Sequence, residues 1–118
     1  MRAKDVLGRD GEEIAVVYLQ AAGLQVLERN WRCRWGEIDI VALDGDCLVV
    51  CEVKTRRSVA AGGPLEAVTP AKLGRLRRLT AAWLAAQDRH FPQIRIDVIG
   101  VLQPRRGAAT VEHLKWVF

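Results

Sequence analysis

Apolar and polar positions along this chain follow two periods, and the switches between them outline its elements. From Gly11 to Ala22 the period is helical. Ala15, Leu19 and Ala22 share one face with Val16 beside them, and Gly23 is a natural stop. The polar stretch Met1–Asp10 is expected to fray in part. Leu24–Arg29 reads as a short strand, and Asn30–Trp35 as an edge strand or a loop. The apolar runs Glu37–Leu43 and Cys47–Thr55 flank Asp44-Gly45-Asp46, a strong hairpin signal. Ser58–Leu65 is a loop centred on Gly62, Gly63 and Pro64. Thr69 as N-cap and Pro70 in the first turn open a second helix that ends near Gln87, with Leu73, Leu76, Leu79, Trp83 and Ala86 as its apolar stripe. Ile94–Leu102 is a further strand, and Thr110–Phe118 a last one. The order helix, strands, helix, strands predicts an α/β fold, a mixed sheet with helices packed on it.

The hairpin carries the candidate chemistry. Strand side chains alternate between faces, so Glu37, Asp39, Val41 and Leu43 share one face of the first strand, and Leu48, Val50, Glu52 and Lys54 one face of the second. A turn at Gly45-Asp46 places Asp39 opposite Glu52. A turn at Asp44-Gly45 leaves the two acids as diagonal neighbours on the same face. Carboxylates this close repel by on the order of a few kcal/mol in a partly buried setting. Either a Glu52–Lys54 ion pair or a bound divalent cation offsets that repulsion, and oxygen ligands of this kind suit Mg²⁺ or Mn²⁺. The Val53 carbonyl faces the strand edge as a further ligand. Glu12, three residues before Ala15, lies on the buried edge of the first helix, where a carboxylate needs a partner or a metal.

Composition narrows the classes. A chain of 118 residues, half of them hydrophobic, suits one domain spanning 1–118. The 18 basic and 14 acidic residues leave a net charge of +4, mostly through arginine, which grips phosphate well. Three cysteines, Cys33, Cys47 and Cys51, form no Cys-x-x-Cys pair, which argues against a disulfide framework and a zinc ribbon. Cys47 and Cys51 alternate with Val49 and Val53 and read as core thiols. No segment approaches the roughly 18 apolar residues of a membrane span, so a cytoplasmic protein without a membrane partner is expected.

Taken together, Gly8-Arg9-x-Gly11-Glu12, Asn30, Gly36-Glu37-Ile38-Asp39 and Glu52-Val53-Lys54-Thr55-Arg56 resemble the YraN family of small, nuclease-like bacterial proteins. That family in turn resembles archaeal Holliday-junction resolvases of the PD-(D/E)XK nuclease superfamily. The likeness spans nearly the whole chain, with Ala71-Lys72, Arg95 and Asp97-Val98 also in place. It implies a restriction-endonuclease-like mixed central sheet flanked by helices, and Mg²⁺-dependent hydrolysis of DNA phosphodiesters, with branched DNA as a candidate substrate and a homodimer as the arrangement. By position, Asp39, Glu52 and Lys54 are its motif residues and Glu12 its first-helix glutamate. Ile38 stands where the superfamily has proline.

Around this set, Arg9, Arg56, Arg57, Lys72 and Arg75 are candidate DNA contacts, with Arg78 on the same strip as the helix residues. A solvated helix face is the plainer alternative. Trp31 and Trp35 either stack on unpaired bases or pack at the core edge. Gly62-Gly63 is a candidate lid, Glu37 a candidate site member or ion-pair partner, and Asp97 a candidate supporting residue. His90 and His113 receive no role. The main rival is a non-catalytic nucleic-acid-binding or adaptor module that keeps the nuclease fold. A weaker one is a protein-interaction subunit whose acids are structural.

Overall fold

The helical period at the N-terminus becomes α1 (Ala3–Ala21) in the computed structural model, which describes residues 3–58, 63, 66 and 68–118, with side chains from Arg9 onward. The helix begins well before the expected Gly11. Residues 3–10 include good helix formers, and an apolar period reveals only the part of a helix whose face is buried. Its end is a Schellman turn. Gly23 at φ +92° donates its N–H to the Gln20 carbonyl, and Leu24 donates to Leu19, each at 3.0 Å. Leu19 and Leu24 belong to one core cluster, so the cap also fixes where the chain turns into the sheet.

The strands β1 (Gln25–Cys33), β2 (Gly36–Asp44) and β3 (Cys47–Arg56) form an antiparallel meander. Asn30–Trp35 is therefore mostly strand, closed by a two-residue turn at Arg34-Trp35 between paired Cys33 and Gly36. Helix α2 (Pro70–Ala85) carries the chain over to β4 (Gln93–Leu102), which pairs parallel with β3. Thr69 caps α2, its hydroxyl accepting the Lys72 N–H at 3.2 Å. Ala86, expected in the apolar stripe, is instead the exposed C-cap. The last strand, β5 (Thr110–Leu114), is shorter than the expected Thr110–Phe118. The backbone breaks at Trp116 (φ +56°), and the tail rejoins β4 when Val117 donates to the Ile96 carbonyl and Ile96 donates to that of Phe118. The candidate lid at Gly62-Gly63 lies outside the described residues apart from Gly63 itself.

The result is a mixed five-stranded sheet in the order β1-β2-β3-β4-β5 with a helix on each face, the expected α/β arrangement and one compatible with a restriction-endonuclease-like fold. On β3, Cys47, Val49 and Cys51 pack under α1, while Leu48 and Val50 pack under α2. Burial on both faces explains the unbroken apolar run of this strand. Cys47 and Cys51 are buried free thiols, as expected. Among the described residues no helix is long and apolar enough to cross a membrane.

Candidate metal centre

The β2–β3 ladder starts at Asp44↔Cys47 around the Gly45-Asp46 turn and ends at Ile40↔Cys51. Continued, it would set Asp39 opposite Glu52 and Ile38 opposite Val53. Instead the strands part, and the Asp39 carboxylate accepts the Val53 N–H at 2.8 Å. A strand N–H lies in the plane of the sheet, so Asp39 sits in the fork between the strands rather than on either face. The alternation of β2 slips here, because Ile38 packs in the α2-side core together with Val41. The Val53 carbonyl points to the same side of its strand as its N–H, and so into the same fork.

Glu12 reaches this fork from α1. A Cβ on Gly11 would fall 1.9 Å from the Thr55 hydroxyl oxygen, so only glycine lets the helix backbone lie directly on β3 at this point. The next residue then stands at the end of the sheet. Carboxylate oxygens of Glu12, Glu37 and Asp39 lie within 4.8 Å of one another. Asn30, at φ +52° in β1, stands near enough to Glu12 to favour its ionised form. Asn30 belongs to the family motif, but the sequence assigns it no role. Its position beside Asp39, between the pairs Arg29↔Ile40 and Trp31↔Ile38, depends on strand register.

The cluster is electrostatically uncomfortable. Burial, then repulsion from Glu52 and a hydrogen bond shared with it, push Asp39 up to about 8, against the pull of the Val53 N–H. Glu12 is raised as well, first by burial, with the Asn30 amide opposing and the Glu37 charge adding. Glu37 also accepts a bond from Arg32 at 3.2 Å, so it is both site member and ion-pair partner. Glu52 is held by Arg75 of α2 at 3.1 Å. The alternative Glu52–Lys54 ion pair does not form. Lys54 is half-buried, one step along the same face of β3, and makes no ion pair among the described residues.

The remaining candidates separate. Arg56 bonds the Glu66 carboxylate at 3.0 Å, and Lys72 bonds the Glu66 backbone carbonyl at 3.1 Å. Arg9, Arg57 and Arg78 are exposed. Trp31 packs against the α2-side core, whereas Trp35 is exposed. Asp97 is fully buried on the α1 side of the sheet, bound by Arg95, by His113 at 2.7 Å and by the Trp116 N–H. His113 also meets the Tyr18 hydroxyl at 3.1 Å, a role the sequence did not reveal, because its two partners lie on other elements, α1 and β4.

The profile of the uncharacterised protein family UPF0102 matches residues 11–101, which contain all the site carboxylates. A UPF0102 protein of Kineococcus radiotolerans is 64% identical, covering 99% of this chain and 97% of its own. One from Beutenbergia cavernae is 60% identical over 99% of both chains, and one from Frankia casuarinae is 49% identical over the full length of both. The chain belongs to the UPF0102 family, the YraN family that its motifs resemble.

Proposed function

We propose that this protein is a metal-dependent endonuclease that hydrolyses DNA phosphodiesters in the cytoplasm. The observation that carries the reading is the fork itself: carboxylates of Glu12, Glu37 and Asp39 within 4.8 Å, with Glu52 against Asp39, in a setting that keeps Asp39 from ionising readily. The donors are all hard oxygens and their charge is under-compensated, which fits Mg²⁺ or Mn²⁺ and not a softer metal. Asp39, Glu52 and the Val53 carbonyl would hold the ion. When bound, such an ion polarises a phosphodiester and lowers the pKa of water beside it. Glu12 is placed to orient a water by hydrogen bonding, and Lys54 supplies an ammonium for charge that develops on the phosphate. Arg9, Arg56, Arg57, Lys72 and Arg75 lie on the flanking elements as phosphate contacts.

The test is a panel of duplex, single-stranded, flapped and four-way-junction DNAs incubated with Mg²⁺ or Mn²⁺, with Asp39→Ala and Glu52→Ala proteins alongside. Cleavage of at least one substrate is expected, and it is lost in both variants. Variants that cut as well as the unaltered protein would mean that the cleavage is not its own.

One observation favours a second reading, a nucleic-acid-binding module without catalysis: Arg75 already neutralises Glu52. That reading predicts salt-sensitive DNA binding, no cleavage, and no heat of Mn²⁺ binding that depends on Asp39.

A further inference from the structure

We infer that Trp35 is a stacking platform for an unpaired base, so that the DNA taken by this site carries a single-stranded segment beside the carboxylates. The inference rests on the nuclease reading for the place of the scissile bond, but different residues carry it.

The four tryptophans divide by environment. Trp83 is buried and donates to Glu28, and Trp31 packs on the α2-side core; Trp116 is 54% exposed, but it sits on the tail that rejoins β4, with the Arg95 guanidinium 5.8 Å from its ring centre. Trp35 is 52% exposed at the tip of the β1–β2 hairpin, with the Arg34 guanidinium 4.3 Å from its ring centre. Neither residue is one that two-residue turn chemistry selects, and a bare indole in water sacrifices the burial that usually justifies its size. The stacked guanidinium holds one face of the ring in a cationic setting.

Position gives this tip its meaning. Trp35 is two residues before Glu37 of the acid cluster. A Cβ on Gly36 would lie 3.7 Å from a guanidinium nitrogen of Arg75, the residue that holds Glu52. The hairpin tip and the fork are therefore neighbours through Arg75. Arg32, whose side chain is 77% exposed, adds a second cation on the hairpin. An exposed aromatic set among arginines is the chemistry that binds single-stranded nucleic acid, with phosphates on the cations and base on the ring. In a duplex the base faces are already stacked, so an unpaired base is what this ring can take.

The experiment measures binding in EDTA, where no cutting occurs, of labelled blunt duplex and of the same duplex with a single-stranded overhang carrying 2-aminopurine at its first unpaired position. The unaltered protein and Trp35→Phe should prefer the overhang and quench 2-aminopurine. Trp35→Ala should bind the overhang roughly tenfold or more weakly, leave blunt-duplex affinity within about twofold, and lose the quenching. Equal losses on both DNAs, no loss on either, or no binding of either DNA by the unaltered protein would each overturn the inference. A Trp35-dependent overhang preference without cleavage under any metal would sink the nuclease reading and leave this one standing. Asp39-dependent cleavage with no effect of Trp35→Ala would do the reverse.

Discussion

At the scale of single residues, Asp39 decides how the site behaves. Its carboxyl, pushed up to about 8 by burial and by Glu52, is mostly protonated near neutral pH, whereas a metal ligand must be ionised. Mn²⁺ binding at about pH 7 should therefore expel close to one proton, measured by calorimetry in buffers of different ionisation enthalpy. The release should shrink toward pH 9 and vanish in Asp39→Asn, whose amide oxygen still accepts the Val53 N–H. Proton release unchanged in that variant would place the metal elsewhere. Arg75 sets up a second test, because a guanidinium and a cation compete for Glu52. The Arg75 side chain is 41% exposed, so Arg75→Gln should cost less than about 1 kcal/mol of stability. It should tighten Mn²⁺ binding several-fold. Weaker Mn²⁺ binding would show instead that Arg75 orients Glu52 for the metal.

At the scale of elements, the site exists because α1 presses on β3 and because β2 leaves β3 at Asp39. The first contact depends on Gly11. Gly11→Ala drives a Cβ into Thr55 and should cost about 1–3 kcal/mol in chemical denaturation, while also weakening Mn²⁺ binding through displacement of Glu12. Thr55→Ala in the same chain removes the two shortest of the three contacts, at 1.9 and 2.7 Å, and leaves the third at 2.8 Å, so it should restore part of both losses. Additive losses in the double variant would mean that the helix is not held by this contact. These two features also mark how far the sequence could be read. Thr69-Pro70 announced the start of α2, and the apolar runs around Asp44-Gly45-Asp46 announced the β2–β3 hairpin, because caps and turns are local chemistry. Two registers were open, and the structure takes the one with the turn at Gly45-Asp46, but the pairing ends at Ile40↔Cys51, before Asp39 and Glu52 can face each other. The slip of alternation at Asp39, the left-handed Asn30 and the reach of Arg75 to Glu52 were not legible. Each depends on packing between elements distant in sequence, and none leaves a period or a turn signal.

At the scale of the whole molecule, two aspartates, the buried Asp97 and the half-buried Asp39, pull stability in opposite directions with pH. Asp97 ties the fold together. It binds Arg95 and His113, and through them it is linked to Asp44 of β2 and Tyr18 of α1. These hydrogen bonds hold its carboxyl below the ordinary 3.8 even though burial pushes it upward. Below about pH 4 the unfolded chain takes up the proton more readily, so Asp97 stabilises above that range and its contribution is lost as pH falls through its folded value. Asp39 does the opposite. Between its ordinary 3.8 and its folded value of about 8 the native state binds the extra proton, so stability falls as pH rises through that window. Without metal, these two groups favour a stability maximum near pH 4 to 5, more acidic than is usual for globular domains. Thermal melts in EDTA should show the unaltered protein losing stability from about pH 5 to pH 8. Asp39→Asn should flatten that limb, and Mn²⁺ should restore it in the unaltered protein but not in the variant. Asp97→Ala should instead cost about 3–5 kcal/mol across the neutral range, since it strips a buried partner from Arg95. The same alkaline slope in Asp39→Asn as in the unaltered protein would show that the fork carries no ionisation penalty, and the reason for a cation to bind there would be gone.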